Sequence, residues 1–237
     1  MKIVGEWLIR SAWWCVVYIA ASVVILILIA NERTSTTTGP PFGPRHSCHP
    51  PVAEPPSPHP VKVCGLRSDV MVYHASQQQE ENWCWATCIE MVLSAKHVKV
   101  SQQEIVQNVF GQIVDRPGSA LDILAGFDGV AETIDGNTVR LKPKVEAGVP
   151  SFETLKRYLD QQTPVIVAIT NPNSPIGHVI VITAVIYEIR DGRPQILRLQ
   201  ARDPAPSAST TGGKRTVQID EFLRVSFYVV VDPLESR

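Results

Sequence analysis

The chain has 237 residues, 44% hydrophobic and 19% charged, the proportions of an ordinary globular protein with room for one good-sized domain plus extensions. Its 22 Lys and Arg against 23 Asp and Glu give a formal charge of -1, which leaves no electrostatic footprint for nucleic acid or for an acidic membrane surface. A P-loop, a glycine-rich dinucleotide fingerprint and a His-x-x-x-His pair are all missing, so nucleotide, nicotinamide and helical-zinc chemistry lack their signatures.

Residues 1–10 carry Lys2 and Arg10 and are followed by "SAWWCVVYIAASVVILILIA", residues 11–30, without a charge. A helix of that length rises about 30 Å, the thickness of a bilayer's hydrocarbon core. Trp7, Trp13, Trp14 and Tyr18 lie toward its N-terminal side, where interfacial aromatics gather. The expectation is a single-pass anchor in a lipid bilayer through residues 11–30, with residues 1–10 cytoplasmic and the rest of the chain extracytoplasmic. A cleaved signal peptide, giving a secreted protein, is the alternative. Its apolar region is normally shorter, and Leu28 stands where a small residue is wanted.

Residues 31–60 are crowded with Pro, Ser and Thr and are poor in core-forming residues, the composition of a disordered, extended spacer. His46, Cys48 and His49 cluster there, but a mobile spacer offers no preorganised metal geometry.

From Val61 to the end the chain reads as one domain. Helical spacing of Trp85, Cys88, Ile89, Val92 and Leu93 predicts a helix over about 83–95, with Glu81 or Asn82 as its cap. Ser101 and Glu104 form a capping box for a second helix that stops at Gly111. A short third helix starts at Ser119, and a fourth follows Pro150 and Ser151, with Phe152, Leu155, Tyr158 and Leu159 on one face. The stretch 126–148 has little helical signal and several turn residues. Then the pattern changes to β-branched runs at 164–170 and 178–189, a turn at Asp191-Gly192, and a returning strand in "QILRLQARDP". A short helix capped by Asp220 between two strands completes the chain. Helices followed by an antiparallel sheet predict an α+β fold.

Three reactive residues sit at the joints of this layout. Cys84 opens the first helix, where the helix N-terminus favours a thiolate. His178 opens a strand, and Asp203 ends the next one; a hairpin between those strands can set the carboxylate beside the imidazole and fix its orientation. An oxyanion needs donors, and Gln78, with the Cys84 backbone N–H, can supply them. Gln77 and Gln79 flank Gln78 and compete for that role. Cys88, one turn along the helix, fits a buried structural thiol.

"Gln78-x-x-x-x-x-Cys84-Trp85-Ala86", "Gly177-His178-Val-Ile-Val-Ile" and "Asp203-Pro204" resemble the papain-like cysteine peptidases, closest to the compact bacterial branch of effector proteases and bacteriocin-leader peptidases. The resemblance covers about residues 72–232. It implies a papain-like fold acting on a peptide or protein substrate, with Cys84 as nucleophile, His178 as general base and acid, Asp203 as orienting residue and Gln78 as oxyanion donor. No cofactor and no metal are implied. Acyl transfer of the transglutaminase type or deamidation could use the same site, and an inactive binding domain is a further alternative. Substrate preference and oligomeric state are not legible. Outside the cytoplasm disulfides are permitted, and a Cys48–Cys64 pair, with Cys88 buried and reduced, is one open connectivity.

Overall fold

The computed structural model describes residues 48–49, 59–67, 71, 74–127, 130–132, 138–171, 177–205 and 213–232. All belong to the unit Arg45–Arg237; the other unit, Met1–Pro44, lies outside the described residues, and so do the predicted anchor and most of the predicted spacer. Among the described residues, no helix is long and apolar enough to cross a membrane.

In chain order the elements are strands β1 (Cys48–His49) and β2 (Lys62–Gly65), helices α1 (Cys84–Ser94), α2 (Gln102–Phe110) and α3 (Ala120–Gly126), then strands β3 (Val130–Glu132), β4 (Thr138–Arg140) and β5 (Pro143–Ala147). Helix α4 (Phe152–Asp160) leads to β6 (Val165–Ile169), β7 (His178–Arg190), β8 (Arg193–Arg202) and β9 (Lys214–Val217), and the short α5 (Ile219–Phe222) leads to β10 (Val225–Val231). Among the described residues, eight of the strands form one sheet with antiparallel pairings, and β3 pairs with β4 in a second.

Strand β7 is the spine. On one side its first half pairs with β6 and its second half with β2; on the other side β8 runs along almost its whole length. Val179 through Glu188 are all buried. Such a run lacks in–out alternation because both faces of the sheet are covered. Ile180 and Ile182 pack on the face that carries Leu155, Tyr158 and Leu159 of α4. Val179 and Val181 pack on the opposite face with Trp85, Ile89 and Val92 of α1 and with Ile105 and Ile123 of α2 and α3. Asp191 and Gly192, at φ of 51° and 74°, make the left-handed two-residue turn whose twist suits the β7–β8 hairpin.

The fold is α+β with an antiparallel sheet, as expected, and the predicted helices stand where capping chemistry places them. Ser101 caps α2 through the full box with Glu104, and Gly111 ends it at φ 72°. Ser119 and Asp122 make a second box on α3, and Ser151 caps α4. The first expected cap does not form: Trp83 is the N-cap of α1 and no side chain caps it. Asn82 instead donates its backbone N–H to Asp115 at 2.8 Å. Nor does Asp220 cap α5; Gln218 holds that place and Asp220 lies in the first turn.

The sheet also draws strands from stretches without a strand signal. Within the predicted spacer, Cys48–His49 pairs with β2 at the sheet edge. Within 126–148, β5 pairs with β10. Its sequence, PKVEA, is that of a largely exposed edge strand, polar and opened by proline, which hides it from a search for apolar alternation.

Candidate active site

Helix α1 brings Cys84 to the face of the sheet where β7 begins. Antiparallel pairing sets Val181 opposite Arg202, so His178 at the head of β7 and Asp203 just past the end of β8 come out side by side. His178 Nε2 lies 2.6 Å from Asp203 Oδ1, and Cys84 is near enough to the ring to help raise its pKa. Sulfur, imidazole and carboxylate thus come together from α1, β7 and the end of β8.

Burial works against a charged imidazole here, yet the hydrogen bond it donates to Asp203 and the nearby Cys84 side chain, together with the charges of both, outweigh it and push His178 up to about 9. Burial likewise works against ionised Asp203, and the His178 bond, the Ala205 N–H and the Arg215 charge more than offset it, holding the carboxyl below its usual range. At neutral pH the pair is therefore imidazolium beside carboxylate. The Asp203 side chain is 8% exposed and the His178 side chain 36%, so the carboxylate is sealed in while the imidazole faces out.

Asp203 is held from every side. Oδ1 also accepts from the Ala205 N–H at 3.0 Å, and Oδ2 accepts from Arg215 Nε at 2.6 Å. Arg215 is fixed in turn by a two-pronged contact with Glu221, at 2.9 and 2.8 Å. Behind the carboxylate, the Asp203 N–H donates to the Gly213 carbonyl at 2.8 Å. Gly213 adopts φ 64°, and a Cβ there would fall 2.1 Å from the Asp203 carbonyl oxygen, so only glycine allows the two backbones to meet.

Residues 70–229 match the model of the Peptidase_C39 like family. The chain belongs to that family. It is a papain-like cysteine peptidase of the bacterial C39 branch. Among solved structures it is similar to the peptidase domain of Streptococcus ComA, described as a bi-functional ABC transporter involved in a quorum-sensing pathway. The two share 16% identity at a TM-score of 0.47, over 67% of this chain and 97% of that one. No curated protein matches the chain.

In this C39-like peptidase the fourth predicted residue, Gln78, is near the other three but differently engaged. Its backbone N–H donates to the Pro204 carbonyl at 2.9 Å, which ties the segment entering α1 to the residue after Asp203. Its side-chain Nε2 donates to the carbonyls of Glu80 and Glu81 at 3.0 and 2.6 Å, and its Oε1 is buried without a partner among the described residues. The neighbouring Gln79 is pinned through its backbone: its N–H donates to buried Gln102 Oε1 at 3.0 Å, while Gln102 Nε2 reaches the Gln77 carbonyl at 2.9 Å.

Sequence reasoning missed Gln102, Arg215 and Glu221. Arg215 sits opposite Ala201 in the β8–β9 ladder, a register that no local pattern announces. Trp83 and Trp85 are fully buried core residues whose indole N–H groups hold the Val114 and Arg116 carbonyls, at 2.8 and 3.0 Å, which fixes the loop over the start of α1. Cys88 fits the structural reading. It is buried, donates to the Val179 carbonyl at 3.4 Å, and burial pushes its thiol well up. Among the described residues no cluster of side chains suits a metal ion.

Proposed function

We propose that this peptidase hydrolyses peptide bonds with Cys84 as nucleophile, His178 as general base and acid, and Asp203 as the group that orients His178. The observation that carries the reading is the 2.6 Å contact between Asp203 and His178, with His178 beside a thiol at an uncapped helix start. Attack of Cys84 sulfur on the scissile carbonyl carbon forms a C–S bond and places negative charge on the oxygen. The His178 imidazolium then gives its proton to the leaving amine as the C–N bond breaks, leaving a thioester. Neutral His178 takes a proton from water, the hydroxide attacks the thioester, and the acid product departs as Cys84 recovers its starting state.

Donors for the oxyanion come from the first turn of α1. Because no side chain caps that helix, its first N–H groups, Cys84 among them, are available to substrate. Gln78 joins them once its amide leaves the Glu80 and Glu81 carbonyls, and a donor of this kind is worth about 3 kcal/mol in the barrier.

We also propose that residues 11–30 anchor the chain in a bilayer, with residues 1–10 cytoplasmic and the peptidase on the far side; the uncharged run and the flanking Lys2 and Arg10 support this. One preparation tests both parts. Membranes from cells expressing the full chain should retain peptide hydrolysis after a high-salt wash, and protease added outside intact cells should remove it. Cys84→Ala should abolish it. Activity that washes off, or that survives in Cys84→Ala, rejects the corresponding part.

A further inference from the structure

We infer that Cys48 and Cys64 form a cross-strand disulfide, which staples the segment ahead of the peptidase to the edge of its sheet. The register is the first observation: in the antiparallel β1–β2 pair, Cys48 lies directly opposite Cys64. Directly opposed residues share one face of a sheet, but they come in a wide and a close kind.

The kind follows from the other side of β2. Its ladder with β7 sets Cys64 against Val185 and Gly65 against Ala184, and Leu66 continues it by donating its N–H to the Thr183 carbonyl at 2.8 Å. Alternate residues of a strand turn their backbone groups the same way, so Cys64, like Leu66, spends its N–H and C=O on β7. Strand β1 lies on the opposite side of β2 from β7. Toward β1, therefore, Cys48 and Cys64 are a non-hydrogen-bonded pair, the close kind, with Cα atoms about 4.5 Å apart. A disulfide spans Cα separations of roughly 4.4–6.8 Å.

The sheet itself settles which thiols can meet. Cys64 is a fully buried thiol on the α4 face, and its Sγ donates to Asp160 Oδ1 at 3.2 Å. Cys84 and Cys88 belong to the core on the opposite face, with the sheet between them and Cys64. Bridging thus consumes neither the nucleophile nor its helical neighbour. Asp160 loses the thiol hydrogen but keeps Lys156 at 2.5 Å, so no carboxylate is stranded.

The chemistry needs a disulfide oxidant such as oxidised glutathione. A first exchange puts one glutathione on a protein thiol and frees the other. The second protein thiolate then attacks that protein sulfur and releases the remaining glutathione, so two electrons and two protons leave the protein. Because Cys64 has no exposed surface, an exchange at that thiol precedes closure of the sheet over it.

The test uses the full chain in detergent, equilibrated with oxidised glutathione, then unfolded, alkylated without reduction, digested and weighed. The expected product is a peptide pair joined through Cys48 and Cys64, with Cys84 and Cys88 recovered alkylated. Reduction should lower the thermal midpoint of the wild type by roughly 5–10 °C, as expected for a short closed loop. It should leave Cys48→Ala, which keeps the buried thiol, unmoved. Recovery of Cys48 and Cys64 as alkylated thiols or glutathione adducts, or of either joined to another cysteine, overturns the inference. The outcome is independent of whether Cys84 is the nucleophile, since no step passes through it.

Discussion

Asp203→Ala is expected to lower peptide hydrolysis about 100- to 1000-fold, the usual worth of a positioned acid–base pair. The substitution removes the 2.6 Å bond to His178 and leaves the Arg215 cation, still held by Glu221, close by. Two of the influences that hold His178 at about 9 come from Asp203, a hydrogen bond and a charge, and both disappear. The sign follows directly. In the proposed mechanism the imidazolium donates the proton to the leaving amine and is present only below its pKa, so the wild type should lose activity as pH rises through about 9. In Asp203→Ala that limb moves down toward the ordinary range, making the deficit larger at pH 8 than at pH 6. Asp203→Asn keeps an acceptor but not the charge; it should retain more activity than Asp203→Ala while still showing a lowered limb. The rate of peptide hydrolysis against pH for the three proteins decides it. Parallel profiles differing only in height would show that the carboxylate does not tune His178.

Arg215→Ala should reduce both stability and turnover. Arg215 bridges two carboxylates, Asp203 and Glu221, and burial disfavours its charge while those partners raise its pKa. Its loss leaves nearly buried Asp203 with an unpaired oxygen, at a cost of about 2–3 kcal/mol. For a chain of this size that is roughly a 5–10 °C fall in thermal midpoint. Turnover should fall more than apparent substrate affinity does, because Arg215 acts through the orientation of Asp203. Lysine, with a single point of donation, cannot serve both carboxylates and should rescue only in part. Thermal unfolding with kcat and KM measured separately checks this; a variant that unfolds earlier but turns over normally would make Arg215 structural only.

How much of this was legible in the sequence differs by residue, for physical reasons. Cys84, His178 and Asp203 each stand at the boundary of an element, and a boundary can be read from periodicity and turn chemistry. The Asp191-Gly192 turn was readable for the same reason, and it is this hairpin that brings His178 to Asp203. Arg215 and Glu221 lie on elements that meet Asp203 only through sheet register, which depends on long-range packing. Strand β5 escaped because an edge strand need not alternate. The first cap was misjudged because Asn82 is a good cap by type, yet its backbone is committed to Asp115 across the chain. Spacing points to Gln78 as an oxyanion donor, while the turn of its amide toward Glu80 and Glu81 is a tertiary detail that no spacing encodes.

The central claim is that His178 and Cys84 act as a coupled pair. The measurement that tests it most directly is the rate of iodoacetamide alkylation at Cys84 against pH, in the wild type and in His178→Ala, with Cys84→Ser as the blank. Fast labelling in the wild type that is lost in His178→Ala is the predicted result, since iodoacetamide reacts with thiolate and a neighbouring imidazolium favours that form. Identical pH profiles in the two proteins, rising only in the alkaline range of an ordinary thiol, would contradict it.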